Sequence, residues 1–275
     1  MGFSVNTNVD ALQAYNALAK TNKATASAQL RLATLKKINS VADDTSGYNV
    51  GKQLEAQNGI MKAQLGNITD AKNYLSTAES ALQQITDKLN AIQAKQVDAD
   101  DPLKDSASIA RDIRTLASEI DSILKNTNIN GTQLLASTDG STPIADATFD
   151  ISGTAFTVDF AGAGYLDSAT LATAIGTGNL QSTTDATVLD FDATSVASNV
   201  RSALGRIGNL IQTVNSREEY LTAAIANNTS TISSIFDADV AMEQLNATKG
   251  QIAQQIGTAM YAQLNTAPQN LLSLF

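Results

Sequence analysis

Several residue types that carry enzyme and metal chemistry are missing from this chain of 275 residues. It has no cysteine, no histidine and no tryptophan. The lack of cysteine excludes disulfides and thiolate metal sites, and the lack of histidine removes the commonest general base and metal ligand. A Ser-His-Asp triad and a zinc site of the H-E-x-x-H type are therefore excluded.

Long apolar runs and excess basic charge are absent as well. No stretch of 18 residues is apolar throughout, so we predict no membrane-spanning segment. The net charge of -9 argues against partners such as nucleic acid or anionic membrane surfaces, because binding to either needs basic patches. The first residues, MGFSVNTNVD, lack the pattern of a cleaved secretory signal peptide, whereas export through an uncleaved N-terminus stays open.

Apolar residues recur with heptad spacing through residues 54–92, in alternating steps of three and four. This pattern predicts one helix of about 40 residues whose seam forms the core of a helix bundle. The predicted core residues of the seam are Leu54, Met61, Ile68, Leu75, Leu82, Ile85, Leu89 and Ile92. A second helix is predicted at 109–123. Pro102 interrupts the helical hydrogen bonds before it, and Asp105 or Ser106 can cap it.

The middle of the chain is richer in Gly, Thr, Ser and Asp than the two helical arms. The alternating runs ATFDISG (147–153) and TAFTVDFAG (154–162) predict a β-hairpin. A short helix is predicted at 166–176 and a third strand at 186–191. Asn130-Gly131 predicts a tight turn at the end of the first arm.

Both terminal arms are amphipathic but thin in apolar residues, and the chain ends in the apolar segment PQNLLSLF. A thin apolar stripe buries too little surface to offset chain entropy alone. We therefore predict that the arms are disordered in the monomer and become ordered only with partners.

Two acidic pairs, Asp43-Asp44 and Asp237/Asp239, suggest metal or catalytic sites at first sight. Two carboxylates without supporting ligands are weak indicators of either, and both pairs lie beside predicted helix ends. We expect Asp43-Asp44 to cap a turn beside a helix, and Asp237/Asp239 to cap a helix or to pair between subunits.

Five short motifs resemble those of bacterial flagellins. The final residues, QIAQQIGTAMYAQLNTAPQNLLSLF, are similar to the family's Q-I-x-Q-Q-x-G-T, A-Q-x-N and P-Q-N-x-L-S-L elements. INSVADDTSGYNVG (38–51) resembles I-N-S-A-x-D-D-A-A-G, and SSIFDADVAME (233–243) resembles R-I-E-D-A-D-x-A-x-E. Asn6-Thr7-Asn8 and INGTQLL match N-T-N and F-N-G-x-x-L-L. The motifs occur in the family's order and cover both arms.

The resemblance implies a mainly α-helical fold of long antiparallel helices that form a coiled-coil bundle, with a small insert containing a β-hairpin. In the family the chain ends pair as an inner coiled coil, D0, and longer helices form an outer domain, D1. The segments expected here are D0 at 1–34 and 240–275, a linker at 35–46 and 233–239, D1 at 47–135 and 193–232, and a reduced surface insert at 136–192.

The resemblance further implies a structural, self-assembling subunit of the flagellar filament, with no enzymatic activity and no cofactor. Its expected partners are further copies of itself, an export chaperone on the C-terminal arm, and hook-associated and cap proteins. The expected location is the extracellular filament, reached by type III export without signal cleavage. The residues expected to assemble the inner tube are Val5, Val9, Leu12, Leu18, Ile252, Ile256, Met260, Leu264, Leu271, Leu272, Leu274 and Phe275.

Two segments depart from the family pattern. Leu35-Lys36-Lys37 stands where the family has Gly-Leu-Arg, and this change is expected to stiffen the linker. The family's immune-receptor epitope, R-x-R-E-L, aligns with residues 91–95, where both arginines and the glutamate are missing. We therefore expect weak or no activation of the flagellin-sensing toll-like receptor. The degenerate positions are Ala91, Ala94, Lys95 and, on the next helix, Asp112.

Three other functions are alternatives on sequence grounds. A hook-filament junction protein has ends similar to those of flagellin, but it matches the C-terminal motifs less closely. A flagellin with a metalloprotease insert would need H-E-x-x-H, which a chain without histidine cannot supply. An unrelated coiled-coil adhesin would not be expected to carry the five motifs in order.

Overall fold

A computed structural model describes residues 9–135, 147–151, 153, 155–158 and 184–272, with side chains up to Leu264. The helices of this part are α1 (Val9–Thr34), α2 (Thr45–Ala99), α3 (Ser106–Asn126), α4 (Asp185–Leu189), α5 (Ala193–Phe236) and α6 (Val240–Leu272). The strands are β1 (Asn128–Ile129), β2 (Thr132–Gln133), β3 (Ala147–Asp150) and β4 (Ala155–Val158). The mainly helical fold predicted from the sequence is thereby confirmed.

The chain divides into two compact units. One, which we call the central unit, comprises residues 59–225, and the other, the terminal unit, comprises residues 1–58 and 226–275. The helix predicted at 166–176 lies outside the described residues. None of the helices in the described ranges is long and apolar enough to cross a membrane.

Helix α2 has 55 residues, which is longer than the heptad pattern predicts and corresponds to about 80 Å. Its first turn is capped by Asp44, whose Oδ1 accepts a hydrogen bond from the Gly47 N–H at 2.9 Å. The predicted cap of α3 is confirmed at Asp105, whose side chain accepts a hydrogen bond from the Ala107 N–H at 3.2 Å. These carboxylates satisfy N–H groups that have no partner within the helix.

In the central unit, α3 runs antiparallel to α2. Ion pairs join Lys88 to Glu119 and Lys95 to Asp112, so residue numbers fall along one helix as they rise along the other. Between the helices lies a core of large side chains that extends into α5. Its fully buried members include Ile68, Leu75, Leu82, Ile85, Leu89, Ile92, Ile113, Ile120 and Leu124. This core, rather than the surface ion pairs, supplies most of the stabilisation.

Two short hairpins complete the central unit. Strands β3 and β4 pair antiparallel, with Phe149 opposite Phe156, as the alternating sequence predicts. Strands β1 and β2 flank Asn130 and Gly131, whose φ angles of 50° and 80° form the predicted tight turn. Asp150, at the end of β3, accepts hydrogen bonds from the side chains of Gln64 and Asn67 on α2, which fixes this hairpin to the helix.

The third strand predicted at 186–191 is wrong, because this segment contains helix α4. Its buried side chains are Val188 and Phe191, which are three residues apart as on a helix, not two apart as on a strand. The Gln96 amide donates to the carbonyls of Leu189 and Phe191 at 3.0 and 2.7 Å, so these groups need no neighbouring strand. Tertiary packing thus overrides the local preference for a strand.

In the terminal unit, α1 and α6 form an antiparallel pair. The guanidinium of Arg31 lies 3.3 Å from the Glu243 carboxylate at one end of the pair. Towards the other end, the rings of Tyr15 and Tyr261 are 6.3 Å apart. The resemblance implies that the two arms pair, whereas the structure gives the register of the pair.

Candidate self-assembly surfaces

The seam between α1 and α6 is built mainly from small side chains, with Leu18 beside Gly257 as a larger member. Ala11, Thr25 and Ala28 of α1 are buried, as is Ala247 of α6. At Gly250 the backbone approaches so closely that an added Cβ would lie 2.2 Å from the Thr25 Oγ1 atom. The two helices therefore pack closely while burying little apolar area, so the seam by itself contributes little stabilisation.

One end of the seam carries a largely buried carboxylate. The Glu243 side chain is only 10 % exposed, whereas its partner Arg31 is 35 % exposed. A carboxylate removed from water requires a partner to compensate its lost hydration. Arg31 supplies this compensation and also ties the end of α1 to the start of α6.

Large apolar side chains of α1 and α6 are exposed, most of them away from the seam, although the ring of Tyr15 lies beside that of Tyr261 across it. About half of the surface of each remains exposed in the single chain. The exposed residues are Val9, Leu12, Tyr15 and Leu30 on α1, and Val240, Met242, Leu245, Ile252, Ile256 and Met260 on α6. Apolar surface of this extent is unusual for a monomer and marks an interaction surface.

Helix α6 presents three faces with different chemistry. The seam face carries Val240, Glu243, Ala247 and Gly250, and the roughly opposite face carries the exposed apolar residues Met242, Leu245, Ile252, Ile256 and Met260. Between them lies an uncharged polar face, whose exposed members at spacings of four and three are Gln244, Thr248, Gln251, Gln255 and Thr258. This polar face provides matched control positions on the same helix.

The residues predicted to assemble the inner tube fall into three groups. Val9, Leu12, Ile252, Ile256 and Met260 are exposed. Leu18 and Leu264 are half-buried. Leu271 and Leu272 lie in the last turn of α6 but beyond the described side chains, and Val5, Leu274 and Phe275 lie outside the described residues. Their role in assembly stays a prediction.

A short joint connects the helix pair to the beginning of α2 and the end of α5. We define the joint as residues 35–44 and 236–239. Lys36 forms an isolated antiparallel β-bridge with Asp237. The Phe236 side chain is buried here, and its ring packs edge-on against Tyr48 with a centroid separation of 6.2 Å.

One carboxylate of each acidic pair, Asp44 or Asp239, caps a helix, and Asp43 holds the turn before α2. Asp43 Oδ2 accepts hydrogen bonds from the backbone N–H groups of Asn39 and Ser40 at 3.0 and 2.9 Å, which lowers the pKa of Asp43, with Ser40 making the larger contribution. Asp239 Oδ1 accepts from the N–H groups of Ala241 and Met242 and so caps α6. Within the described ranges, no group of three or more acidic, His or Cys side chains could hold a metal ion.

The heptad-seam and epitope positions lie in or near α2. Six of the eight seam residues are buried in the central unit, whereas Leu54 and Met61 are half-buried. Of the degenerate epitope positions, Ala94 is exposed, Ala91 is half-buried, and Lys95 pairs with Asp112 at 2.7 Å. The carboxylate of Asp112 raises the pKa of Lys95 through a hydrogen bond and direct attraction.

The small-residue seam of the terminal unit is the feature that sequence reasoning missed. The signal was present, because Ala11, Ala14, Leu18, Thr21, Thr25 and Ala28 follow heptad spacing along α1. A search for large apolar residues selects the opposite face, because Val9 and Leu12 are more hydrophobic than Ala or Thr. Heptad spacing of small residues would have identified the pairing face.

Comparison with known proteins identifies two family models in this chain. The bacterial flagellin N-terminal helical region matches residues 5–139, and the C-terminal helical region matches residues 188–275. The chain is 28 % identical to the flagellar filament 33 kDa core protein of Treponema phagedenis, over 98 % of this chain and 99 % of the relative. It is 29 % identical to flagellins of Listeria innocua and Bacillus subtilis, over 98 % of this chain in each case and 98 and 99 % of the relatives.

Proposed function

The chain belongs to the bacterial flagellin family and is a structural subunit of the flagellar filament, not an enzyme, and we propose that it polymerises through the apolar face of its terminal helix pair. The observation that carries this proposal is the exposure of the large apolar side chains while small ones fill the seam. The family matches give no support to the hook-filament junction alternative.

Polymerisation through this face has a simple thermodynamic basis. Each large apolar side chain that passes from half-exposed to buried adds roughly 1 kcal/mol, and the face holds eight such side chains. The total free energy of this burial is divided among contacts with several neighbouring subunits, and it offsets the entropy lost on assembly. When each subunit contacts the next through two different surfaces and the rotation does not close a ring, the subunits form an open helical polymer.

A matched pair of variants tests this proposal. Ile252→Ser/Ile256→Ser removes two outward apolar side chains, and Gln251→Ser/Gln255→Ser removes two outward polar ones from the same helix. We expect the isoleucine variant to raise the monomer concentration in equilibrium with filament by roughly tenfold to hundredfold. Sedimentation of full-length protein measures this concentration, and the glutamine variant should remain within about twofold of the parent.

Two outcomes would contradict the proposal. Either the isoleucine variant polymerises as the parent does, or both variants lose polymerisation to the same extent. Circular dichroism melting of the central unit serves as the folding control, because neither substitution lies within residues 59–225.

We further propose that the terminal helices become ordered mainly on assembly. The support is the seam of small residues, which buries too little apolar area to hold two helices together firmly. Protease treatment of monomer should trim both ends and leave a core within about 45–235, whereas filament should resist. Equal resistance in dilute monomer would contradict this step.

We also propose other protein partners for this chain. We propose that an export chaperone covers the C-terminal arm, that cap and hook-associated proteins meet the assembled ends, and that export proceeds without signal cleavage. A chaperone contact on α6 requires that the purified complex protect this helix from protease. We also propose weak or absent toll-like receptor activation, because Lys95 pairs with Asp112 and the epitope lacks its arginines. A reporter-cell response to monomer at the potency of other flagellins would refute this proposal.

A further inference from the structure

The backbone of the joint contains a residue in an unfavourable conformation. Leu35 follows the last residue of α1 and has φ of 58°, in the left-handed region that favours glycine. Its side chain is 57 % exposed, so burial of the leucine does not compensate for this strain. Other contacts must therefore hold the backbone of Leu35 in place.

Backbone hydrogen bonds across the joint supply part of the restraint. The Ala238 N–H donates to the Leu35 carbonyl at 3.0 Å, and the Lys37 N–H donates to the Phe236 carbonyl at 2.7 Å. The Lys37 ammonium also donates to the Ser234 carbonyl at 2.8 Å. These bonds fasten the residues after α1 to the end of α5 and to Ala238 beyond it, but they lie near the surface and are open to competition from water.

The Phe236 ring is the buried anchor beside these bonds. Its side chain is 3 % exposed, and the ring lies directly on the backbone of Gly51 in α2. A Cβ at position 51 would come within 2.1 Å of the ring. The Lys36 ammonium lies 5.4 Å from the ring centroid, and this cation–π contact adds to the anchor. The ring therefore fits only because position 51 is glycine.

We propose that Phe236, seated on Gly51, is a latch that holds Leu35 in its left-handed conformation and thereby sets the direction of the α1–α6 pair within the filament. This positioning role rests on the proposed assembly through that pair. The Phe236 ring fixes the segment to which the Leu35 carbonyl is bonded. When the Phe236 ring no longer packs on Gly51, Leu35 returns to an unstrained conformation and the α1–α6 pair loses its fixed direction.

The test compares two glycine substitutions on one helix. Gly51→Ala introduces a Cβ against the ring, whereas Gly59→Ala introduces one where no atom lies within 4 Å. Full-length filaments of each variant are compared by hydrogen exchange with residue-level mass spectrometry at the amides of Lys37 and Ala238. We expect Gly51→Ala to speed exchange at both amides at least tenfold, and Gly59→Ala to leave it unchanged.

A double-variant cycle separates latch action from general damage. Phe236→Ala should speed exchange at the same amides as Gly51→Ala does, and Gly51→Ala should add nothing in the Phe236→Ala background. If the effects of the two substitutions on the exchange rates multiply instead, the ring and the glycine act separately, and the proposal is overturned. If Gly51→Ala prevents polymerisation, the cycle is measured in filaments formed with an excess of parental subunits.

The strain on Leu35 has its own matched test. Leu35→Gly should slow exchange at Ala238 several-fold, because glycine adopts positive φ without strain, whereas Leu30→Gly, at a similarly exposed leucine inside α1, should speed exchange along that helix. Faster exchange in both variants would overturn the proposal. Failure of the isoleucine test of assembly would instead remove the role of the α1–α6 face and leave the exchange results of the joint intact.

Discussion

The two units of this chain differ in what they bury and in the charge that they carry. Residues 59–225 bury a continuous core of leucine and isoleucine, and with eleven basic and twenty acidic side chains they account for the whole net charge of -9. The terminal unit has seven basic and seven acidic side chains and packs its helix pair around alanine, threonine and glycine. One unit thus has the composition of an independently stable domain, and the other has the composition of an interface.

This difference separates stability from assembly. Charge repulsion keeps monomers apart through the central unit, whereas the electrically neutral terminal unit can approach its copies without that repulsion. Large side chains on the outside of the helix pair can gain burial only from neighbours. Substitutions in the central unit should therefore change the free energy of unfolding, whereas those in the terminal unit should change the strength of assembly.

The largest expected effect comes from the core of the central unit. Leu82 is fully buried there, so Leu82→Ala should lower the free energy of unfolding by about 2–5 kcal/mol. Leu12→Ala, at an exposed leucine of the terminal unit, should leave the same transition within about 0.5 kcal/mol. Denaturant unfolding of monomer followed by circular dichroism measures both. Similar losses in the two variants would remove the distinction between the units.

The next effect tests the close seam of the terminal unit. Gly250→Val forces a branched side chain against Thr25 and should weaken assembly by about 1–3 kcal/mol, because the helices must separate. The contrast is Gly208→Ala in the central unit, which has open space at the added Cβ and should stabilise α5 by up to about 1 kcal/mol. Sedimentation reports the first change and thermal unfolding reports the second. Normal assembly of Gly250→Val would mean that the seam is not closely packed in the filament.

A smaller effect is expected at the ion pairs. Arg31→Ala leaves the largely buried Glu243 carboxylate without its partner and should cost about 1–3 kcal/mol in assembly. Lys88→Ala breaks the more exposed pair with Glu119 in the central unit and should cost about 0–1 kcal/mol in unfolding. Salt titration provides the check, since the exposed pair should be screened more strongly than the buried one. Equal losses would show that burial of Glu243 does not matter.

The central unit could be predicted from the sequence much better than the terminal unit. The seam at 54–92, the cap at Asp105 and the turn at Asn130-Gly131 depend on local chemistry, and local chemistry is visible in sequence. The strand predicted at 186–191 was wrong because Gln96, about 90 residues away in the chain, satisfies its carbonyls. The pairing of α1 with α6 and the seat of Phe236 on Gly51 depend on contacts between opposite ends of the chain, which periodicity alone does not specify.

The smallest effect is a pH dependence of the joint. Hydrogen bonds from the Ser40 and Asn39 N–H groups lower the pKa of Asp43 below its usual 3.8, so its stabilising contribution is complete above 3.8 and is lost as pH falls through the lowered value. Pepsin cleavage of filaments within residues 35–46, normalised to a peptide substrate, should therefore accelerate in that acidic range. Asp43→Asn should abolish the step, because its amide oxygen still accepts these hydrogen bonds but does not titrate. Asp105, whose pKa is lowered mainly by the Ser108 hydroxyl, provides the matched position in the central unit. If Asp105→Asn removed the step at the joint as well, the acid response would belong to the whole chain and not to the terminal unit.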